Sequence, residues 1–118
     1  MDAPIVIPDT PMTLADLGRF RGNPFDSMIK FVVDMERGAI ALGGEMHADD
    51  ESLLLETGSR QEFLWGGNLH PWETPPRIEY TSLINIRPAS GNRSMMVDDP
   101  GQRERIETIV RHWILLQW

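Results

Sequence analysis

Hydrophobic and polar positions alternate between residues 28 and 35, and a second short apolar run covers residues 39–42. The apolar positions of the first run are Ile29, Phe31, Val33 and Met35. A period of two residues is typical of a β-strand that buries one face. Gly38 lies in the short connection between the runs, where a positive φ favours glycine. The pattern therefore predicts an antiparallel hairpin.

The alternation over residues 78–87 predicts the clearest strand of the chain, with Asn85 and Arg87 on its polar face. Residues 63–65 predict another strand, and we expect the following glycines, Gly66 and Gly67, to break it with a bulge or a turn. Prolines within residues 70–76 predict an ordered loop there.

Capping residues mark two helix starts. Thr13, with Asp16 three residues later, predicts a short N-terminal helix, and Asp99 followed by Pro100 predicts a C-terminal helix with an apolar stripe. Residues 49–57 fit either a helix or a short buried strand.

Together these elements predict one α+β domain over residues 1–118. We expect an antiparallel sheet of about four to five strands, with the short N-terminal helix and the C-terminal helix packed on one face. Residues 1–11 are rich in proline and are predicted to be an extended segment.

Composition excludes several kinds of chemistry. The chain has no cysteine, so disulfides, thiol nucleophiles and cysteine-ligated metals are absent. The formal net charge of −7 argues against duplex nucleic acid, because such binding depends on basic side chains that neutralise phosphates. Residues 1–10 do not resemble a signal peptide, and no apolar run approaches the roughly 20 residues of a membrane span. These features predict a cytoplasmic protein that does not enter a membrane.

A candidate metal site lies at Glu45, His47 and Asp49. Alternate residues of a strand project to one side, so these three side chains could hold one divalent cation, the only cofactor that the sequence suggests. With Arg87 to stabilise negative charge, this arrangement would suit a metal-dependent hydrolase. In the alternative, Asp49 only caps a helix and turns away from the other two side chains.

A second candidate site would bind a small anion or a nucleotide-like molecule. Its residues are Trp65, Asn68, Asn85, Arg87, Asn92 and Arg93. Arginine and asparagine side chains offer many hydrogen-bond donors, and Trp65 could stack on a ring. We expect the pocket to be shared with the 45–49 segment. In the alternative, the arginines form ion pairs with the acidic residues between 45 and 56, and the site has only a structural role.

The end of the chain suggests a third interpretation. Leu115, Leu116 and Trp118 lie partly off the stripe of the C-terminal helix. They either fold back onto the sheet or contact a second copy, which would make the chain a homodimeric interaction module.

Several unusual strings occur together in one order between residues 28 and 98. They are VVDME, GGEMHAD, LLLETGSRQ, LWGGNL, IEYTSLINIRP and GNRS. In this combination the chain resembles a small family of bacterial proteins that is a domain of unknown function. The resemblance implies a compact bacterial domain, and it carries no reaction, ligand or catalytic residue.

Overall fold

The structure is a computed structural model, and it describes residues 4–118. Its main sheet is antiparallel and has four strands in the order β3-β2-β4-β5. The strands are β2 (Ile29–Asp34), β3 (Ala39–Leu42), β4 (Leu64–His70) and β5 (Arg77–Glu79). Two short strands, β1 (Met12–Thr13) and β6 (Ile114–Leu115), pair in parallel elsewhere. The helices are α1 (Leu14–Leu17), α2 (His47–Glu56) and α3 (Pro100–Trp113). The predicted α+β class is confirmed.

Each face of the main sheet carries its own hydrophobic cluster. The larger cluster lies on the face of β2 and β3 that bears Phe31 and Leu42. There this face packs against α3 and against the segment around Phe20. The smaller cluster lies on the opposite face, where Leu54 of α2 packs against Val32. The N-terminal and C-terminal helices therefore contribute to one cluster, as predicted, and α2 covers part of the other face.

The predicted hairpin is confirmed as β2 and β3, with Val33 opposite Ile40. The predicted helix starts are confirmed as well. At the first start, the Thr13 side chain accepts a hydrogen bond from the backbone N–H of Asp16, and the Asp16 side chain accepts one from the backbone N–H of Thr13, which together form a capping box. At the second start, the Asp99 side chain accepts a hydrogen bond from the backbone N–H of Gln102 at 2.8 Å. Local sequence determines these features, because each depends on residues a few positions apart.

Strand β4 is longer than predicted and is not interrupted at its glycines. It runs through Gly66 and Gly67 without a break and pairs with β2 along six positions, from Leu64 to Leu69. The glycines are needed for close packing: a Cβ at Gly67 would lie 2.5 Å from both the Glu79 carbonyl oxygen and a ring carbon of Phe31. The expected bulge or turn is therefore wrong.

The predicted strand over residues 78–87 is also wrong beyond its start, because β5 ends at Glu79. The chain then forms a short 3₁₀ helix at Leu83–Asn85 and another at Pro88–Ser90. The Ser82 side chain caps the first of these by accepting a hydrogen bond from the backbone N–H of Ile84 at 3.3 Å. The apolar alternation of the sequence therefore continues past Glu79, although the backbone there is no longer a strand.

The C-terminal tail is partly used inside the molecule. Ile114 is fully buried in the larger cluster, and the indole N–H of Trp118 donates to the Ile114 carbonyl oxygen at 3.3 Å. Leu115 remains 54% exposed. The homodimer through the tail stays a prediction.

The extended N-terminal segment is described from residue 4 onward, while residues 1–3 of the predicted segment lie outside the described residues. Val6 forms an antiparallel bridge with Leu42 at the edge of β3. Within residues 4–118, no helix combines the length and the apolar character that a bilayer crossing demands.

Candidate functional site

Polar side chains form a row across three strands, on the sheet face that α2 only partly covers. In the strand register, Lys30 of β2 is opposite Asn68 of β4, and Asn68 is opposite Glu79 of β5. Directly paired residues project to the same face, so the three side chains are neighbours. We call Lys30, Asn68 and Glu79 the polar row. Its order is a cation, an amide and a carboxylate.

Lys30 is the only lysine of the chain and is half-buried. Its Nζ lies 5.4 Å from the centroid of the Phe25 ring, a cation–π distance. Among residues 4–118, Lys30 has no carboxylate within ion-pair distance. Beside the larger effect of burial, its charge works to lower the pKa of the buried Asp50 carboxyl and of His47, so it acts on both groups without a direct ion pair.

Asn68 occupies the middle of the polar row. Its side-chain oxygen Oδ1 is buried and has no hydrogen-bond partner in the described part of the chain. Buried polar atoms are normally paired, because leaving one unpaired costs about 1–3 kcal/mol. The Asn68 side chain lies next to His47 and works to raise the pKa of that residue, which burial lowers, so its amide faces the first turn of α2.

His47, the first residue of α2, closes one side of the polar row. Its Nε2 donates a hydrogen bond to the Gly67 carbonyl oxygen at 2.8 Å, and a carbonyl only accepts, so the proton is on Nε2. Burial lowers the pKa of His47, and the hydrogen bond to Gly67 opposes this shift. Gly66 permits the close approach, since a Cβ there would lie 3.2 Å from the ring carbon Cδ2 of His47.

His70 closes the other side of the row, between two carboxylates. Its Nε2 is 2.5 Å from Oε1 of Glu79, and its Nδ1 is 3.2 Å from Oε2 of Glu73. Arg77 adds ion pairs with the same two glutamates. The hydrogen bond to the His70 side chain lowers the pKa of Glu79, and the hydrogen bond to Arg77 lowers the pKa of Glu73. Both glutamates are therefore anionic at neutral pH.

The predicted metal ligands are not brought together. His47 and Asp49 belong to α2 rather than to a strand, and Asp49 accepts a hydrogen bond from the backbone N–H of Met46 at 3.1 Å. Glu45 is exposed in the preceding segment, while His47 points its Nε2 at Gly67. No group of three histidine, aspartate or glutamate side chains within residues 4–118 is arranged to hold a metal ion. The expectation of alternate positions on one strand is wrong, because a helix turns successive side chains by about 100°.

The side chains of two predicted ligand-binding residues form hydrogen bonds with backbone groups of the protein. Asn85 is fully buried and exchanges two hydrogen bonds with Gly66. Asn92 donates to the carbonyl oxygens of Asn85, Ser94 and Met96, and its own oxygen accepts from the Asp98 N–H. Both asparagines hold the 82–98 segment in place.

The two predicted guanidinium groups have different surroundings, since one forms an ion pair and the other is exposed. Arg87 lies over the Trp65 ring, with its guanidinium carbon 4.9 Å from the ring centroid, and is 3.8 Å from Glu51 of α2. This agrees with the alternative in which an arginine pairs with the acidic segment. Arg93 is exposed.

The 45–49 segment and Arg87 line different cavities. A cavity of about 600 Å³ is bordered by Glu45 and Asp49, and another of about 460 Å³ by Arg87 and Glu51. Asp49 and Glu51 are two positions apart on α2, so they point to opposite flanks of that helix. Neither of these two cavities is the shared pocket expected from the sequence.

The residues that sequence reasoning missed as a site are Lys30 and Glu79, which join Asn68. The signal was weak. Lys30 lies between two apolar residues of β2, but nothing in the sequence places it beside residues 38 and 49 positions further along the chain. Only the register of β2, β4 and β5 brings the three together.

The fold and the polar row define a small α+β domain in which one sheet face carries a hydrophobic cluster and, beside it, a row of polar side chains. Residues 6–113 match the family model DUF5674, described as a protein of unknown function, so the chain belongs to this family. This confirms the resemblance drawn from the sequence. No curated protein matches the chain, and no solved structure does.

Proposed function

We propose that the protein binds a small anionic ligand that also carries a hydrogen-bond donor, and that the polar row is the binding site. The observation that supports this most directly is the register of β2 and β4, which places Lys30 opposite Asn68. Lys30 forms no salt bridge within residues 4–118, and Oδ1 of Asn68 is buried without a hydrogen-bond partner there. An ammonium group attracts a carboxylate or a phosphate. The amide oxygen accepts a hydrogen bond from the ligand.

The spacing of the row limits the size of the ligand. Neighbouring strands lie about 4.8 Å apart, so the backbones of Lys30 and Glu79 are separated by roughly 10 Å. A ligand with an acidic group near Lys30 and an N–H or O–H group near Glu79 spans this distance. Amino acids and nucleotides have groups of these two kinds.

Charge around the row favours such a mixed ligand over a simple anion. The whole chain carries a formal charge of −7, which repels anions at long range. Attraction must therefore come from Lys30 at short range, with the N-terminus of α2 adding a partial positive charge near His47. Binding is expected to weaken as ionic strength rises.

The experiment is a thermal-shift and calorimetric screen of the whole chain against inorganic phosphate, nucleoside monophosphates and free amino acids. The test variant is Lys30→Gln, and the charge-matched control is Arg19→Gln, because each changes the net charge from −7 to −8. Arg19 is exposed, and its guanidinium group lies over the Phe20 ring. Loss of the charged hydrogen bond should weaken binding by about 1.5–3 kcal/mol in Lys30→Gln, while Arg19→Gln binds like the unchanged protein.

A third variant, Arg93→Gln, tests the original expectation that the arginine loop holds the anion. Loss of binding in Arg93→Gln with retention in Lys30→Gln would refute the polar row as the site. A saturable ligand whose affinity is equal in all four proteins would refute it as well.

A further inference from the structure

A cavity away from the polar row is lined by Arg87 and Glu51, a buried charge pair that is not in hydrogen-bond contact. Nη2 of Arg87 and Oε2 of Glu51 are 3.8 Å apart, beyond the reach of about 3.2 Å for such a bond. Both atoms are buried, and neither has a hydrogen-bond partner within residues 4–118. The two side chains are only 15% and 12% exposed. The donor and the acceptor thus form an ion pair, but neither atom makes a hydrogen bond within the described residues.

Surrounding contacts hold the two groups in these positions. Arg87 is stacked on Trp65, and its Nη1 donates to the Glu62 carbonyl oxygen at 3.3 Å. Glu51 is anchored in α2, and its side chain also interacts with Gln61. The pair is therefore preorganised, which reduces the entropy lost when a ligand binds.

The cavity beside the pair has the size and the lining of a small-molecule site. Its volume is about 460 Å³, within the usual range of roughly 300–1,000 Å³ for ligand pockets. Its lining is half apolar, with Leu83 and Ile86 among the aliphatic residues, and half polar or charged. Leu83 and Ile86 are 71% and 43% exposed, so they offer apolar surface to a ligand. Apolar surface beside fixed polar atoms is typical of a ligand site.

We propose that this cavity binds a neutral planar molecule with a hydrogen-bond donor and an acceptor on neighbouring atoms, the edge that a primary carboxamide or a nucleobase presents. The acceptor of the ligand meets Nη2 of Arg87, and its donor meets Oε2 of Glu51. The charges of Arg87 and Glu51 cancel, and Glu62 adds a negative charge to the cavity lining. An anionic ligand is therefore not attracted to this cavity. The flat part of the ligand covers Leu83 and Ile86.

Benzamide tests the carboxamide source and cytidine tests the nucleobase source, each titrated into the whole chain and followed by backbone amide chemical shifts. Benzoate is the control for benzamide, since it keeps the ring but loses the donor and gains a charge. For cytidine the control is N4,N4-dimethylcytidine, which lacks the donor. We expect saturable shifts at residues 83–91 with one of the two probes and none with its control.

Two double variants are compared. The test variant combines Glu51→Met with Arg87→Met, and the control variant combines Glu107→Met with Arg111→Met. Replacing both members of a charge pair by apolar side chains is usually tolerated, so the first variant is expected to fold. The second removes an ion pair of α3 outside the cavity. We expect the first double variant to lose binding at least tenfold and the second to keep it.

Leu83→Ala gives an independent check, because Leu83 is so exposed that its loss should not affect folding. We expect it to weaken binding several-fold. The proposal is overturned if neither probe saturates, if a probe and its control bind alike, or if the Glu51/Arg87 double variant binds as well as the unchanged protein.

Discussion

The Asn85 side chain pairs with the backbone of Gly66 as a neighbouring strand would. Its Oδ1 accepts from the Gly66 N–H and its Nδ2 donates to the Gly66 carbonyl oxygen, both at 2.9 Å. β5 has already ended at Glu79, so this edge of β4 is completed by one side chain. The amide thereby satisfies two buried backbone groups that would otherwise lack partners.

We therefore predict that Asn85→Leu, which keeps a similar volume, strongly destabilises the protein. Leaving the two Gly66 groups unpaired should lower the free energy of unfolding by about 3 kcal/mol, measured by urea denaturation. The control is Thr108→Val, which removes an exposed hydrogen bond of 3.0 Å to the Glu104 carbonyl oxygen. That change should stay within about 0.5 kcal/mol, and equal effects of both variants would contradict the role of Asn85.

Gly67 provides a second stability prediction. A Cβ at this position would lie 2.5 Å from both the Glu79 carbonyl oxygen and Cζ of Phe31, so β4 or β5 must shift. Gly67→Ala is expected to cost about 2 kcal/mol and to lower the Tm. Gly18→Ala is the control, because a Cβ at Gly18 meets nothing within 4 Å and its backbone is helical. It should be neutral or stabilising, and a larger loss in Gly18→Ala than in Gly67→Ala would refute the packing argument.

The parts of the fold that the sequence predicts correctly depend on near neighbours. The hairpin of β2 and β3 follows from a two-residue period around Gly38, and the start of α3 follows from Asp99 and Pro100. The strand predicted over residues 78–87 fails for a long-range reason. Its apolar alternation is real, but Asn85 turns toward Gly66 of another strand, and no local pattern reveals that partner.

The candidate site was harder to predict than the fold. Glu45, His47 and Asp49 alternate as ligands on a strand would, yet Asp49 caps the helix at Met46. Acidic residues in a first turn were a local signal of that helix. The neighbourhood of Lys30 and Asn68 had no such signal, because it depends on the register between separate strands.

Trp113 ties α3 to the β2–β3 turn, and this contact gives a third prediction. Its indole N–H donates to the Gly38 carbonyl oxygen at 2.7 Å. Trp113→Phe should lower the free energy of unfolding by about 1 kcal/mol, because it removes this bond and retains much of the ring. Trp118→Phe is the control, since its hydrogen bond to Ile114 is longer, at 3.3 Å. If urea denaturation shows the larger loss for Trp118→Phe, the contact with Gly38 does not have this role.

Asp50 makes the stability of the protein depend on pH. This fully buried carboxyl accepts a hydrogen bond from the Gly44 N–H at 2.9 Å, and burial raises its pKa from 3.8 to about 8. Below pH 4, Asp50 is protonated in both folded and unfolded chains and does not affect stability. Between pH 4 and pH 8 it ionises only in the unfolded chain, so its contribution destabilises the fold by up to about 1.4 kcal/mol per pH unit.

Asp50→Asn keeps an oxygen for the Gly44 N–H and removes the titration. The free energy of unfolding of Asp50→Asn should therefore exceed that of the unchanged protein increasingly from pH 5 to pH 8, as measured by urea denaturation at several pH values. Taking the difference between the two proteins cancels the opposite contribution of His47, whose lowered pKa favours folding at pH values above its ordinary 6.5. A difference that stays constant from pH 5 to pH 8 would show that Asp50 ionises alike in the folded and unfolded chains, in which case its burial does not govern the pH dependence.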